Sequence, residues 1–174
     1  MKDDFRYPIG KFQFIQPTSR TRQDCITQFR ESPKLLRQAL VGLNEKQLLS
    51  QYRPGGWTIA QVVHHLAEAD VNAYPRLKYA FTENSPKVLV AQEALWAELP
   101  DARAATIECS LALFEAIRYR WAEAWESLKE EDFSRKWEHA HFGIVAVDHI
   151  LQQYAWHGRH HTAQITAHRA RMGW

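Results

Sequence analysis

Residues 154–161, YAWHGRHH, carry three histidines within five positions of a segment whose apolar residues recur at helical spacing. Histidine is not a favoured helix former, so propensity does not account for the cluster. Neutral imidazole is a good ligand for zinc, nickel, copper or iron, and two histidines at i, i+4 can clasp one ion. Val147, Ile150, Leu151, Tyr154, Gly158 and Ile165 define the apolar stripe of this helix. His161 falls on the stripe and His157 at its edge, one turn earlier. His160 falls with Gln153 and Gln164, beside Trp156, on a more polar face. His149 also lies off the stripe, and His168 returns to it about two turns further on, close to the helix end.

A second histidine pair stands in VVHHLAEAD, residues 62–70. His64 shares a face with Gln61 and Glu68. His65 shares one with Val62 and Ala69, the more apolar set, which favours His65 for the interior. An unpaired buried imidazole costs about 1–3 kcal/mol. His65, His157 and His161, meeting from two helices, would all be satisfied by one divalent cation. Three protein ligands leave a coordination position open, and on zinc such a position lowers the pKa of a bound water to about 7. The other outcome is an ordinary core in which each ring bonds to backbone or side chains, and residue types and phase leave both open. The HExxH pattern is absent, so no glutamate stands between ligands. Glu68 and Asp70 lie nearby, but phase aims neither at the candidate ligands; Glu68 reads as a solvated helix face and no general base is assigned. Tyr154 and Gln61 share the relevant faces and could orient the rings. Trp57 and Trp156 are expected to pack.

The elements that must position these rings are helices. Apolar residues from Thr21 to Leu43 recur at helical spacing, and Pro33 either kinks that helix or divides it. NEKQLL adds a short turn capped by Asn44. In RPGGWTIAQ, Thr58 followed by Gln61 forms a capping box that opens a helix towards Glu83, with Pro75 bending it or ending it early. A long connection with a helical turn around Leu95 follows. A third helix, 106–128, places Ile107, Leu111, Phe114, Ile117, Trp121 and Leu128 on a core stripe. RKWEHAHFGIVAV predicts a small hairpin, and the last helix covers 146–171. Four long helices predict an all-α four-helix bundle in one domain, 1–174, with residues 1–18 as an extended arm.

Composition excludes several classes. Apolar residues make up 45% and charged residues 24%, so the chain is not of the disordered or collagen-like kind. Net charge is +2 with both signs spread along the sequence, which gives no reason to expect a nucleic-acid partner. His168, Arg169 and Arg171 suit the negative end of a helix dipole. MKDDFRYPIG lacks a signal-peptide core, and no run approaches the roughly 20 apolar residues that span a bilayer. Cys25, on an apolar face, and Cys109, off its stripe, are expected as free thiols in a cytoplasmic protein.

YPIG at 7–10, YRPGGWTIAQVVHHLAEAD at 52–70, YAWHGRHHTAQIT at 154–166 and RMGW at 171–174 together resemble the YfiT family of the DinB superfamily. The resemblance covers nearly the whole chain. It implies a DinB-type bundle, a homodimer, and one divalent metal ion per chain, zinc first and nickel or another transition metal next. The family's three histidine ligands map onto His65, His157 and His161, with His64 and His160 outside. The implied activity is metal-dependent hydrolysis of a small-molecule substrate. A second implied chemistry is transfer of a low-molecular-weight thiol of the bacillithiol kind, and a third reading is a non-catalytic metal- or ligand-binding bundle. Pro75 and Ala146, where a capping Thr is expected, depart from the family pattern and bear on boundaries.

Overall fold

Thr18 and Thr21 exchange hydrogen bonds, side chain to backbone in both directions, and so open helix α1, Ser19–Leu40. The computed structural model describes residues 5–84, 86–88, 90–139 and 143–174. Pro33 lies inside α1 without dividing it. Proline lacks the N–H that Phe29 O would otherwise receive, and the buried Ser32 hydroxyl donates to that carbonyl instead at 2.7 Å. Asn44 and Gln47 form the box that caps α2, Glu45–Leu48. Thr58 and Gln61 do the same for α3, Ile59–Thr82, as the sequence predicts. Pro75 neither ends nor divides α3; Val71, whose carbonyl loses its donor, is a solvent-exposed residue.

Strand β1, Lys87–Val88, corrects the expectation of a plain connection here. It is followed by α4, Glu93–Trp96, and α5, Glu108–Glu126. A 3-10 turn, Glu130–Ser134, then leads into β2, Lys136–His139, and β3, Gly143–Ala146. β2 and β3 pair antiparallel as the expected hairpin, whose turn at 140–142 lies outside the described residues, as does the start of the arm, 1–4. β1 joins β2 in parallel, giving the order β1-β2-β3. The last helix, α6, spans Val147–Met172. Ala146 offers no side-chain cap, and the Val147 N–H donates to Arg135 O at 2.9 Å in its place. At the other end Gly173 takes a left-handed conformation, φ 70°, that closes the helix.

α1, α3, α5 and α6 form the four-helix bundle, α1 packing chiefly on α6 and α5, and α3 on α5 and α6. Among the described residues the core has two apolar clusters, one around Phe29, Trp121, Trp125 and Ile150, the other around Leu36, Ile59, Leu66 and Phe114. Arg118 lies where they meet, 0% exposed, and touches all four helices. It forks onto Asp70 of α3, with Nη2 3.0 Å from Oδ1, and its Nη1 donates to the Tyr154 carbonyl of α6 at 3.0 Å. Its guanidinium sits over the ring of Phe29 from α1 at 3.9 Å and over Phe114 from its own helix at 4.8 Å. A side chain at Gly158 would place Cβ 3.2 Å from Ser32 Cβ and 3.4 Å from the Arg118 nitrogens, so the missing Cβ admits both α1 and the guanidinium. Burial pushes the Asp70 carboxyl up to about 6 against the pull of Arg118, and it remains ionised at neutral pH.

The arm, residues 5–18, runs without regular structure along α6. The Gln152 amide bonds both the N–H and the carbonyl of Ile15, at 3.0 Å each, as a neighbouring strand would. Phe12 and Phe14 pack on His149. Among the described residues no helix is long and apolar enough to cross a membrane, and Cys25 and Cys109 are free thiols.

Asp70→Ala leaves the Arg118 guanidinium buried without a counter-charge, and the expected cost is about 3–5 kcal/mol. Urea unfolding reads this as a lowered midpoint. The double change Asp70→Leu with Arg118→Met is expected to cost less than the single one, because it removes both charges.

Candidate metal centre

The capping box at Thr58 fixes where α3 begins, and two turns later the helix presents His65 inward. α6 presents His157 and His161 one turn apart on the same side. His157 Nε2 lies 3.2 Å from His65 Nε2 and 3.1 Å from His161 Nε2, and one ligand atom from each of the three lies within 4.8 Å of the others. The ring planes stand 70–84° apart, so edges meet rather than faces. His65 and His161 are buried, and His157 is half-buried. Burial pulls the His65 imidazole down to about 4, with the charge of a protonated His160 adding to it. Burial also holds His157 and His161 well below the ordinary 6.5, with mutual repulsion next and, for His157, Arg118 contributing. All three rings are therefore neutral at pH 7, the form in which imidazole binds a cation.

The tautomer of His161 follows from its neighbours. Gln164 Nε2 is 2.8 Å from the Arg6 carbonyl, which can only accept, so the amide NH2 faces the arm and Oε1 faces His161. Oε1 then accepts from His161 Nδ1–H at 2.8 Å, and the lone pair of His161 is left on Nε2. A neutral ring nitrogen carries either one proton or one lone pair, so His157 Nε2 can make a hydrogen bond with only one of its two neighbours, His65 Nε2 at 3.2 Å and His161 Nε2 at 3.1 Å. Two imidazoles on a tetrahedral zinc, with Zn–N of about 2.05 Å, stand about 3.3 Å apart. The two separations about His157, the neutral state of the rings and imidazole as donor suit a first-row divalent ion.

Two neighbouring residues, Gln164 and Arg118, take roles that helical phase alone does not assign. Gln164, assigned by phase to a polar face with His160, orients His161. Its signal was the i, i+3 spacing to that ring. Arg118 carried a signal too, a cation one turn after Phe114 in an aromatic stripe. Gln61 does not orient a ring: its Nε2 donates to the Ala97 carbonyl, and its Oε1 closes the cap of α3. Tyr154 packs its ring on His157 at 5.6 Å, and Trp57 lies against His65 at 4.7 Å and over His161 at 6.4 Å.

The remaining histidines stay outside the triad, yet two placed on polar faces are buried. His160 is stacked on Trp156 at 4.3 Å and covered by Tyr7 of the arm, which helical phase could not foresee. His64 donates from Nε2 to the Ala104 carbonyl and accepts at Nδ1 from the Ser110 hydroxyl. His168 bonds to Ser50 Oγ at 3.1 Å. Asp70 is committed to Arg118. Glu68 is half-buried, its carboxyl raised by burial, and it lines a cleft of about 750 Å³ with Asn72, Arg76, Tyr79 and Trp96. A second cavity, about 400 Å³, opens beside His161 between Tyr7, Tyr52, Arg53 and Trp57.

The low value of His65 has a sign for stability. The unfolded chain takes up a proton near 6.5 and the folded one only near 4, so stability is full above 6.5 and falls as pH drops between the two. For metal-free protein this ring alone accounts for roughly 3 kcal/mol by pH 4. Asp70, shifted upward, works in the opposite sense over part of that window. Denaturant unfolding from pH 7.5 to 4 is therefore expected to show a shallower decline for His65→Gln than for the wild type.

Comparison with known proteins places the chain in a family. Residues 28–165 match the model of the DinB superfamily. A protein of Geobacillus thermodenitrificans named "Putative metal-dependent hydrolase" is 44% identical over 182 residues, covering 99% of this chain and 98% of its own. One of the same name from Bacillus cereus is 40% identical, with 99% of each chain covered. The solved structure of YfiT from Bacillus subtilis, described as "a probable metal-dependent hydrolase with an unusual four-helix bundle topology", superposes with a TM-score of 0.95 at 36% identity, covering 98% of this chain and 99% of that one. On sequence and fold together, this chain is a YfiT-like member of the DinB superfamily.

Proposed function

We propose that His65, His157 and His161 hold one divalent metal ion, zinc foremost, and that the protein is a metal-dependent hydrolase of a small-molecule substrate. The observation that carries this reading is the meeting of three neutral imidazole edges, with Nε2 separations of 3.1 and 3.2 Å about His157. The names of the relatives support the same reading. When bound, such an ion supplies Lewis acidity and activates water at neutral pH. The chain does the rest. Gln164 keeps His161 in the tautomer with its lone pair on Nε2, and burial keeps all three rings unprotonated. Trp57 packs over His65 and His161 and shields them from water on that side. Arg118 and Asp70 are spent on each other, and neither is available as a proton carrier. The cavity bordered by His161 and Trp57 has room for a small molecule.

Metal-stripped protein is expected to take up one zinc per chain, and the triple change of His65, His157 and His161 to Ala to take up none. Elemental analysis checks both, and zinc retained by the triple variant would refute the site. A panel of esters and amides is expected to be turned over by loaded protein and spared after chelation. Turnover that requires an added low-molecular-weight thiol would transfer the assignment to thiol transfer, and metal uptake with no turnover across the panel would leave a binding protein.

A further inference from the structure

Gln164 is 2% exposed and stands between a ring of the metal site and the N-terminal arm. Its three hydrogen bonds go to His161 Nδ1 at 2.8 Å, Arg6 O at 2.8 Å and His160 Nε2 at 3.0 Å. Only one of these partners dictates the orientation of the amide. His160 Nε2 donates or accepts according to its tautomer, and so does His161 Nδ1. The Arg6 carbonyl has lone pairs and no proton. While the arm is docked, the NH2 end must face Arg6 and the carbonyl end must face His161. Remove that carbonyl and the amide is free to turn over, presenting NH2 to His161 Nδ1. The ring proton then moves to Nε2, and a ring protonated there has no lone pair for a cation.

We infer that Gln164 is a positioning residue through which docking of the arm at Arg6 and metal binding at His161 are coupled, each strengthening the other. The inference rests on the reading of the triad as a metal site and not on the hydrolytic chemistry. The arm is suited to such a role because its anchors are separate. Ile15 is clipped to Gln152, Phe12 and Phe14 rest on His149, and Tyr7 covers His160, so residues 5–10 can release while 12–15 remain in place. Coupling of two binding events is reciprocal: whatever factor the docked arm adds to metal affinity, the bound metal adds to arm docking.

Zinc dissociation constants from chelator competition test this on five proteins. They are the full chain, a chain lacking residues 1–7, Gln164→Ala, Gln164→Glu, and the truncated Gln164→Ala. Gln164→Ala is expected to weaken zinc binding about 10- to 100-fold, the usual effect of losing a partner that orients a ligand. Truncation is expected to weaken it in the same direction by a smaller factor, and to add nothing in the Gln164→Ala background. Gln164→Glu separates positioning from packing. Its carboxylate still accepts from His161 Nδ1–H but cannot donate to Arg6, so zinc stays bound while the arm is released. In the full chain, zinc is expected to slow backbone hydrogen exchange at residues 5–10 by the factor that truncation costs in affinity, and in Gln164→Glu to leave it unchanged. A truncated chain that binds zinc within about twofold of the full one, or truncation and Gln164→Ala effects that multiply, would overturn the coupling. A full chain that binds no zinc would overturn the metal reading beneath it.

Discussion

The buried fork of Arg118 onto Asp70 sets the relative rotation of the helices, and the site depends on that rotation. A guanidinium offers donors in one plane at fixed angles, so satisfying it constrains every helix it touches. Asp70 takes two of the donors and turns α3. The Tyr154 carbonyl takes another, and Gly158 gives the guanidinium room against α6. Gly158 lies between His157 and His161 in the chain, so the phase of α6 that satisfies Arg118 is the phase that turns both rings inward. A buried ion pair is weak evidence for net stability, since hydrophobic replacements often do as well. Its effect is on specificity: other rotations of these helices would leave a buried charge unpaired.

The two ends of the site are held differently. His161 is oriented by a hydrogen bond, through Gln164. His157 has no hydrogen-bond partner at Nδ1 among the described residues and is held by packing against Tyr154, His65 and His161. The nearby charge of Arg118 disfavours the protonated form of His157, which acts in the same direction as burial. The geometry of the three rings and the packing of the helices are thus parts of one arrangement, and a change at Arg118 would alter both.

Much of this was legible in the sequence where a local rule decides. The boxes Thr18–Thr21, Asn44–Gln47 and Thr58–Gln61 start helices by satisfying orphan N–H groups within four residues; the spacing shows the third as a box, and the second only as a cap at Asn44. Helical phase separated His65 from His64 and His157 and His161 from His160, because the three rings meet where α3 and α6 face each other. The same phase failed for the burial of His160 and His64, since their cover comes from the arm and from the loop before α5 rather than from the bundle. Pro33 and Pro75 could not be settled in advance. Whether a helix survives a proline depends on where the abandoned carbonyl finds a donor, and in α1 the answer is one neighbouring hydroxyl. A two-residue strand such as β1 carries no alternation to detect.

On the proposed reading, the helix rotations fixed around Arg118 bring three imidazole nitrogens to a single ion. X-ray absorption at the zinc edge of the loaded wild-type protein tests it most directly. The account predicts three imidazole nitrogens at about 2.0–2.1 Å with one further light atom and no sulfur. A sulfur shell at about 2.3 Å, which would draw in Cys25 or Cys109, or fewer than three imidazoles, would contradict it.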